Sequence, residues 1–120
     1  MKILCVGELL VDMIAAENSI QGSEEFHARP GGAPANVAVA ASRMGAEVDM
    51  AATVGDDGFG DKLIGKMKEE KINIDNIGVS DKKTTLAFVA LNESAEPEFS
   101  FYRGADLDIS QDQLQHGYDI

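Results

Sequence analysis

Basic residues and uninterrupted apolar segments are scarce in this sequence. Lysine and arginine total 10 against 21 aspartate and glutamate residues, so the formal net charge is −11 at pH 7. Binding to nucleic acid or to an anionic membrane depends on clustered lysine and arginine, and we therefore expect neither partner. The apolar stretch near the N-terminus resembles a signal peptide, but Glu8 and Asp12 interrupt it, which argues against secretion.

Cysteine is also nearly absent. Cys5 has no second cysteine to pair with and lies in an apolar run, where a free thiol is expected to act as a small hydrophobic side chain in a reducing compartment. We therefore predict a cytoplasmic protein. The 120 residues and the apolar fraction of 44% are sufficient for one hydrophobic core but not for two separate domains.

Strand-like and helix-like segments alternate along the chain. Residues 3–6 are a short, continuous apolar run of the kind that a parallel sheet buries, and residues 48–54 predict a second strand. Residues 34–44 are rich in alanine and valine, which predicts a helix buried against that sheet. Residues 59–67 carry their apolar side chains on one helical face, which predicts an amphipathic surface helix, and residues 26–29 predict a short strand. The alternation indicates an α/β fold.

Two later segments predict a β-hairpin that adds to this sheet in the antiparallel direction. Residues 84–91 and 98–103 are strand-like, and the polar link between them contains a proline. Because side chains alternate along a strand, Phe99, Phe101 and Arg103 are expected to share one face of the second strand.

The last residues predict a continuation of the fold. Residues 110–114 are expected to form a helical turn, and residues 118–120 have the apolar character of an opening core strand. A domain rarely ends where a core strand begins, so we expect the chain to be the N-terminal part of a longer protein. The alternative is a natural, frayed C-terminus.

The glycine-rich turn at residues 30–36 is the most specific local feature. Gly31 and Gly32 would allow close approach of the backbone to a ligand, and the unpaired N–H groups of the following helix would face the same space. Asn36 adds an amide that both donates to and accepts from hydroxyls. The alternative is a purely structural turn before a buried helix. Neither a Walker loop nor a dinucleotide-binding fingerprint occurs, which disfavours a nicotinamide-dependent oxidoreductase.

Two charged residues are candidate ligand-binding groups. Asp12 is expected just past the end of the first strand, where open α/β sheets bind their ligands, and its carboxylate could accept hydrogen bonds from adjacent sugar hydroxyls. The alternative is an aspartate that caps a loop. Arg103 shares a strand face with two phenylalanines and would suit an anionic or hydroxylated ligand, whereas the alternative is a solvated arginine at a strand end.

Other polar residues are expected to have structural roles. The aspartate pair at residues 56–57 predicts a cap for the second helix rather than a metal site. Asp106 and Asp108 are expected to lie in a solvated loop. His27 and His116 have no cysteine or carboxylate at metal-ligand spacing, so we predict no metal site in this chain.

Several short motifs lie in order along essentially the whole chain. They comprise Gly7 followed by Asp12, Gly-Gly-Ala-Pro-Ala-Asn-Val-Ala at residues 31–38, Gly45, Val-Gly-Asp-Asp-Gly-Phe-Gly at residues 54–60, residues 85–91 and Phe-Tyr-Arg at residues 101–103. Together they resemble the ribokinase-like, or PfkB-type, carbohydrate kinase family. Within that family, the Gly-Gly-Ala-Pro-Ala-Asn and Phe-Tyr-Arg motifs are most similar to those of fructokinases, with 2-keto-3-deoxygluconate kinases close behind.

The resemblance implies the N-terminal part of an α/β/α sandwich with a small β-sheet lid near residues 15–30 and 84–103. The C-terminal, nucleotide-binding half would lie outside residues 1–120. By position, the substrate-binding residues implied by the resemblance are Asp12, Gly31, Gly32, Asn36, Phe101 and Arg103. Pairing of two lids in a homodimer is a further expectation.

The family transfers the γ-phosphoryl group of ATP, with Mg²⁺, to a primary hydroxyl of a sugar. The resemblance therefore implies that the complete protein converts fructose to fructose 6-phosphate, with 2-keto-3-deoxygluconate as the alternative substrate. The catalytic aspartate of the family lies beside a Gly-Ala-Gly-Asp motif, which does not occur in this sequence. We therefore expect no catalysis from the chain alone, and a non-catalytic sugar-binding module is the alternative from another class.

Overall fold

The computed structural model describes residues 2–94 and 96–114, which form two β-sheets and two α-helices. The strands and helices are, in chain order, β1 (Lys2–Val6), β2 (Leu10–Ala15), β3 (Phe26–Gly31), α1 (Ala33–Arg43), β4 (Glu47–Gly55), α2 (Gly58–Glu69), β5 (Ile77–Ser80), β6 (Leu86–Leu91) and β7 (Pro97–Tyr102). Short 3₁₀ turns follow at Ala105–Leu107 and Gln111–Gln113. The predictions for His116 and for residues 118–120 fall outside the described residues.

The first sheet is parallel, with the strand order β1-β4-β5. β4 is its central strand, and all of its residues after Glu47 are buried. Burial on both faces explains why residues 48–54 show no regular alternation of apolar and polar side chains. The two polar residues of this segment, Asp49 and Thr53, are buried with the rest. The strands predicted at residues 3–6 and 48–54 are confirmed.

α1 packs against β1 and β4 through its small side chains. Ala35 and Ala38 are its buried residues, whereas the side chain of Val37 is 57% exposed. The helix predicted at residues 34–44 is therefore confirmed, but its expected burial against the sheet holds for one face only. Alanine permits close packing on that face and does not by itself require a cover on the other.

α2 connects the first sheet to the second. Leu63 and Met67 are buried in a core cluster that also contains Val11 of β2. Met13, Ala28 and Leu86, which belong to three strands of the second sheet, are partly buried against the same cluster. The amphipathic helix predicted at residues 59–67 is thus confirmed, and its apolar face contacts both sheets.

The second sheet has four strands in the order β3-β2-β6-β7. β2 runs antiparallel to β3 and parallel to β6, and β6 runs antiparallel to β7. The hairpin predicted from residues 84–91 and 98–103 is confirmed as β6 and β7. The expectation that this hairpin extends the parallel first sheet is wrong. The chain leaves the first sheet after Gly7 and forms β2 in the second sheet, and β6 pairs with β2 there.

The two faces of the second sheet differ in their surroundings. One face packs on the core through Met13, Ala28 and Leu86. The other carries Asp12 of β2, with Arg29 of β3 and Ala87 of β6 paired on either side and Phe101 of β7 opposite Ala87. We call this second surface the Asp12 face. Phe101 and its neighbour Phe99 are about half exposed there.

Asp57 ties the start of α2 to the start of β6. Its Oδ1 accepts hydrogen bonds from the Gly60 amide at 2.8 Å and from the Thr84 hydroxyl at 2.7 Å, and its Oδ2 accepts from the Thr84 amide at 2.9 Å. The capping role predicted for this residue is confirmed. Partial burial raises the pKa of Asp57, but the hydrogen bonds from Thr84 and Gly60 outweigh it and lower the pKa below the ordinary value.

We expect Asp57→Ala to lower the free energy of unfolding by about 2 kcal/mol, since it removes a helix cap together with the partner of Thr84. Because the folded-state pKa is below the unfolded one, the ionised carboxylate stabilises the fold above the unfolded pKa of about 4 and loses this effect as the pH falls through the folded value. Urea unfolding at pH 7 and at pH 3 measures the free energy of unfolding of wild type and of Asp57→Asn. The difference between the two proteins should be smaller at pH 3. Asp61→Asn, on the exposed side of the same helical turn, is the control, and an equal loss there would contradict the assignment.

Candidate functional site

Gly31 and Gly32 connect the end of β3 to the start of α1. A Cβ atom on Gly31 would occupy the position of the Asp12 carboxylate, and one on Gly32 would lie 2.6 Å from the Glu8 carbonyl oxygen. Gly32 also has a φ of +101°, which side chains rarely adopt. The two glycines therefore let the β1–β2 connection and the Asp12 side chain approach this turn closely.

Asp12 lies within β2, as its third residue. The expectation that it follows the first strand in a loop is wrong, because the chain enters a second strand at Leu10. The Asp12 side chain is half-buried against Gly31. Burial first, and the nearby Glu8 carboxylate second, raise the pKa of Asp12 above its ordinary value. The side chain is thus a carboxylate held close to a second negative charge on the Asp12 face.

Arg103 follows β7 and lies over the same face. Its guanidinium carbon is 4.6 Å from the centre of the Phe101 ring, and the Phe101 and Phe99 rings stack with their centres 5.8 Å apart. The prediction that these three side chains share one face is confirmed. Stacking on an aromatic ring leaves the edge of a guanidinium free to donate hydrogen bonds.

Two carboxylates accept hydrogen bonds from Arg103. Its Nη1 donates to Oε2 of Glu8 at 2.8 Å and to Oδ2 of Asp106 at 2.8 Å. Hydrogen bonds to Glu8 and Asp106 raise the pKa of Arg103, so the guanidinium stays charged. Glu8 therefore joins Arg103 to the glycine turn, since its main chain lies against Gly32.

Asp106 is buried, and the expectation that it lies in a solvated loop is wrong. Its Oδ1 accepts a short hydrogen bond from the Thr85 hydroxyl and a longer one, at 3.3 Å, from the Gly104 amide. Burial raises the pKa of Asp106, but the hydrogen bonds from Thr85, Arg103 and Gly104 outweigh it, and the net shift is downward. Asp108, expected in the same loop, pairs with Lys82 at 2.7 Å and accepts from Ser80 at 2.6 Å.

Asn36 lies apart from this group. Its backbone amide donates to the Gly32 carbonyl at 3.0 Å, but its exposed side chain lines a cavity of about 390 Å³ together with Arg43 and Lys66. The structure therefore brings Asp12, Gly31, Gly32, Phe101 and Arg103 to one face and its rim, and places the Asn36 side chain at another cavity. The binding of a sugar by any of these residues stays a prediction.

Glu8 and Asp106 are the site residues that sequence reasoning missed. Glu8 was considered only as a break in an apolar run, and Asp106 only as a loop residue. Arg103, the partner that they share, is distant from Glu8 in sequence. The signal that could have pointed to them is a general one: an arginine at the end of a strand needs carboxylates to balance its charge.

Residues 2–94 and 96–114 contain no group of three or more histidine, cysteine, aspartate or glutamate side chains that could hold a metal ion. Among the helices of the same ranges, none is both long and apolar enough to span a membrane.

The fold is that of a sugar kinase family. The chain matches the pfkB family of carbohydrate kinases over residues 1–119 and belongs to that family. Its structure is a ribokinase-like α/β fold, as the resemblance implied.

Among its relatives are several fructokinases. The crystal structure of fructokinase from Xylella fastidiosa has a TM-score of 0.85 and 44% identity, covering 96% of this chain and 37% of that chain. A structure of Xylella fastidiosa fructokinase with bound ATP has a TM-score of 0.83 and 43% identity, over 95% and 37% of the two chains. Probable fructokinase-2 of Arabidopsis thaliana is 41% identical over 119 residues, 93% of this chain and 36% of that protein. The chain thus spans little more than a third of the relatives that it matches.

Proposed function

We propose that the complete protein containing this chain transfers the γ-phosphoryl group of ATP to the primary hydroxyl of fructose, giving fructose 6-phosphate. The observation that carries the proposal is the Asp12 carboxylate, which lies against Gly31 on the Asp12 face of the second sheet in a member of the pfkB family. The similarity to fructokinases supports fructose as the sugar.

The Asp12 face has the chemistry that a hydroxylated ring requires. Asp12 accepts hydrogen bonds from adjacent hydroxyls, and a charged acceptor forms the stronger bonds. Arg103 supplies donors, and the exposed Phe101 ring supplies an apolar surface for the C–H groups of a sugar. Gly31 leaves the room in which the Asp12 carboxylate is held beside the turn. In this proposal the four-stranded sheet is the lid. It starts at Leu10, earlier in the chain than the predicted limit of residue 15.

The Asp12 face does not suit the polyphosphate of a nucleoside triphosphate. The carboxylates of Glu8, Asp12 and Asp106 outnumber the guanidinium groups of Arg29 and Arg103 there, and this excess of negative charge would repel polyphosphate. We therefore place ATP, Mg²⁺ and the catalytic aspartate in parts of the complete protein outside this chain. The isolated chain would then be inactive.

Arg103 is the observation that keeps a second substrate under consideration. A guanidinium can pair with the carboxylate of 2-keto-3-deoxygluconate through two parallel hydrogen bonds. Fructose has no carboxylate and would use Arg103 only as a hydrogen-bond donor to a hydroxyl.

The proposal is tested by assaying the complete protein with ATP, Mg²⁺ and each sugar in turn. We expect ADP release with fructose and a product whose ³¹P spectrum shows a phosphate ester at C6. Binding of fructose without phosphorylation would instead support a non-catalytic sugar-binding module.

Three further expectations have tests of their own. Residues 1–120 expressed alone should show no turnover, and activity of this piece would contradict the placement of the catalytic aspartate elsewhere.

Sedimentation of the complete protein, with and without Leu91→Glu on the exposed end of β6, tests the proposed pairing of lids in a homodimer. The cytoplasmic location is tested by fractionation of cells.

A further inference from the structure

The two carboxylates that hold Arg103 differ in how firmly they are fixed. The Asp106 side chain is 3% exposed, whereas the Glu8 side chain is 33% exposed and that of Arg103 is 42% exposed. Asp106 is also held by Thr85 and by the Gly104 amide. Its second oxygen is therefore a fixed point to which the guanidinium is attached, while Glu8 can turn towards solvent.

We propose that Asp106 is a positioning residue that makes the site select neutral sugars over sugar acids, by fixing Arg103 on the Phe101 ring and cancelling its positive charge. This inference rests on the proposed function and concerns the substrate class of the same site. Asp106 contacts Arg103 and Thr85 rather than the Asp12 face itself, so it acts on the sugar through Arg103.

The charges on the rim of the site give the direction of the selectivity. Arg103 and Arg29, which pairs with Asp12 across β2 and β3, contribute two positive charges, and Glu8, Asp12 and Asp106 contribute three negative ones at neutral pH. A sugar carboxylate that approaches the guanidinium therefore meets a net negative field, although the guanidinium alone would attract it. A neutral sugar experiences no such penalty and needs only directional donors, which a fixed guanidinium provides.

The test compares two substrates in variants of the complete protein. Asp106→Asn keeps the size of the side chain and removes its charge. We expect it to raise the ratio of kcat/KM for 2-keto-3-deoxygluconate to kcat/KM for fructose by about five- to tenfold, as removal of one charge several ångströms from the ligand in a partly solvated site would do. The change should appear as a lower KM for the acid and a higher KM for fructose, with kcat nearly constant. A merely structural defect would lower both kcat/KM values alike.

Two further variants show whether the effect passes through Arg103. In an Arg103→Ala background, Asp106→Asn should no longer change the ratio. Asp108→Asn is the matched control, because Asp108 is an ion-paired carboxylate two residues away whose partner is Lys82 rather than Arg103. It should leave the ratio at the wild-type value. If Asp106→Asn does not fold, Glu8→Gln removes the other partner of Arg103, and we expect a smaller shift in the same direction.

The outcomes separate this inference from the proposed function. An unchanged ratio in Asp106→Asn, or a change that persists without Arg103, overturns the inference while fructose phosphorylation by the wild type stands. A wild-type protein that strongly prefers the acid overturns the inference and the choice of fructose but not the kinase activity. A wild-type protein that phosphorylates neither sugar overturns the proposed function and this inference with it.

Discussion

Asp12→Asn in the complete protein is expected to lower kcat/KM for fructose by about 100- to 1,000-fold. The carboxylate is placed to accept hydrogen bonds from two sugar hydroxyls, and each hydrogen bond to a charged group contributes about 1.5–3 kcal/mol, where 1.4 kcal/mol is a factor of ten. Asparagine keeps one acceptor but loses the charge. Steady-state kinetics with fructose measures the loss, and Asp61→Asn on the exposed side of α2 is the control.

The same substitution should leave the fold intact or slightly more stable. Burial and Glu8 raise the pKa of Asp12, so the folded state disfavours its ionised form. Protonated Asp12 therefore stabilises the folded state. This contribution is full below the unfolded-state pKa and is lost as the pH rises through the folded-state pKa. At pH 7, Asp12→Asn is therefore expected to melt at the wild-type temperature or above it. A variant that loses activity because it unfolds would instead show a lower melting temperature, and that result would contradict a binding role.

Gly32→Ala is expected to lower the free energy of unfolding by about 3 kcal/mol. A side chain at φ +101° costs on the order of 1–3 kcal/mol, and the new Cβ would lie 2.6 Å from the Glu8 carbonyl oxygen, which forces the backbone to move. Urea unfolding of wild type and variant measures the difference.

Gly65→Ala is the matched control for this experiment. Gly65 lies inside α2, and a Cβ there would meet open space. Alanine is the better helix former by up to about 1 kcal/mol, so this variant should gain stability. A loss at Gly65 equal to that at Gly32 would show that the turn has no special requirement for glycine.

The parts of the fold that follow from local pattern were predictable from the sequence. A continuous apolar run predicted β1, and a mainly apolar segment predicted β4, because strands buried on both faces lose the alternation of apolar and polar residues. The apolar face and the capping residue predicted α2, because a half-buried helix imposes its period on the chain. The hairpin of β6 and β7 followed from two strand-like segments around a polar link. The resemblance to the pfkB family likewise rests on short motifs, each of which is local in the sequence.

Pairing between distant segments was not predictable. β2 follows β1 after a short connection, and no local pattern states that β2 leaves the first sheet to pair with β6. Asp12 was accordingly placed in a loop. Asp106 was placed in solvent for a similar reason, since its partner Thr85 lies 21 residues earlier in the chain, just before β6. The four-residue strand β5 is too short to show a period.

The parallel pairing of β2 with β6 has a consequence for how the chain folds. Val11 pairs with Leu86, and everything from β3 to β5 lies between them in the sequence. β2 and β3 can associate early, because they are close in the chain, but one edge of β2 stays unpaired until β6 arrives. Sheets closed by such distant contacts form slowly, and an open edge is a site where a second nascent chain can add. During synthesis on the ribosome, therefore, the strand that carries Asp12 is exposed to misassembly until most of this chain has been made.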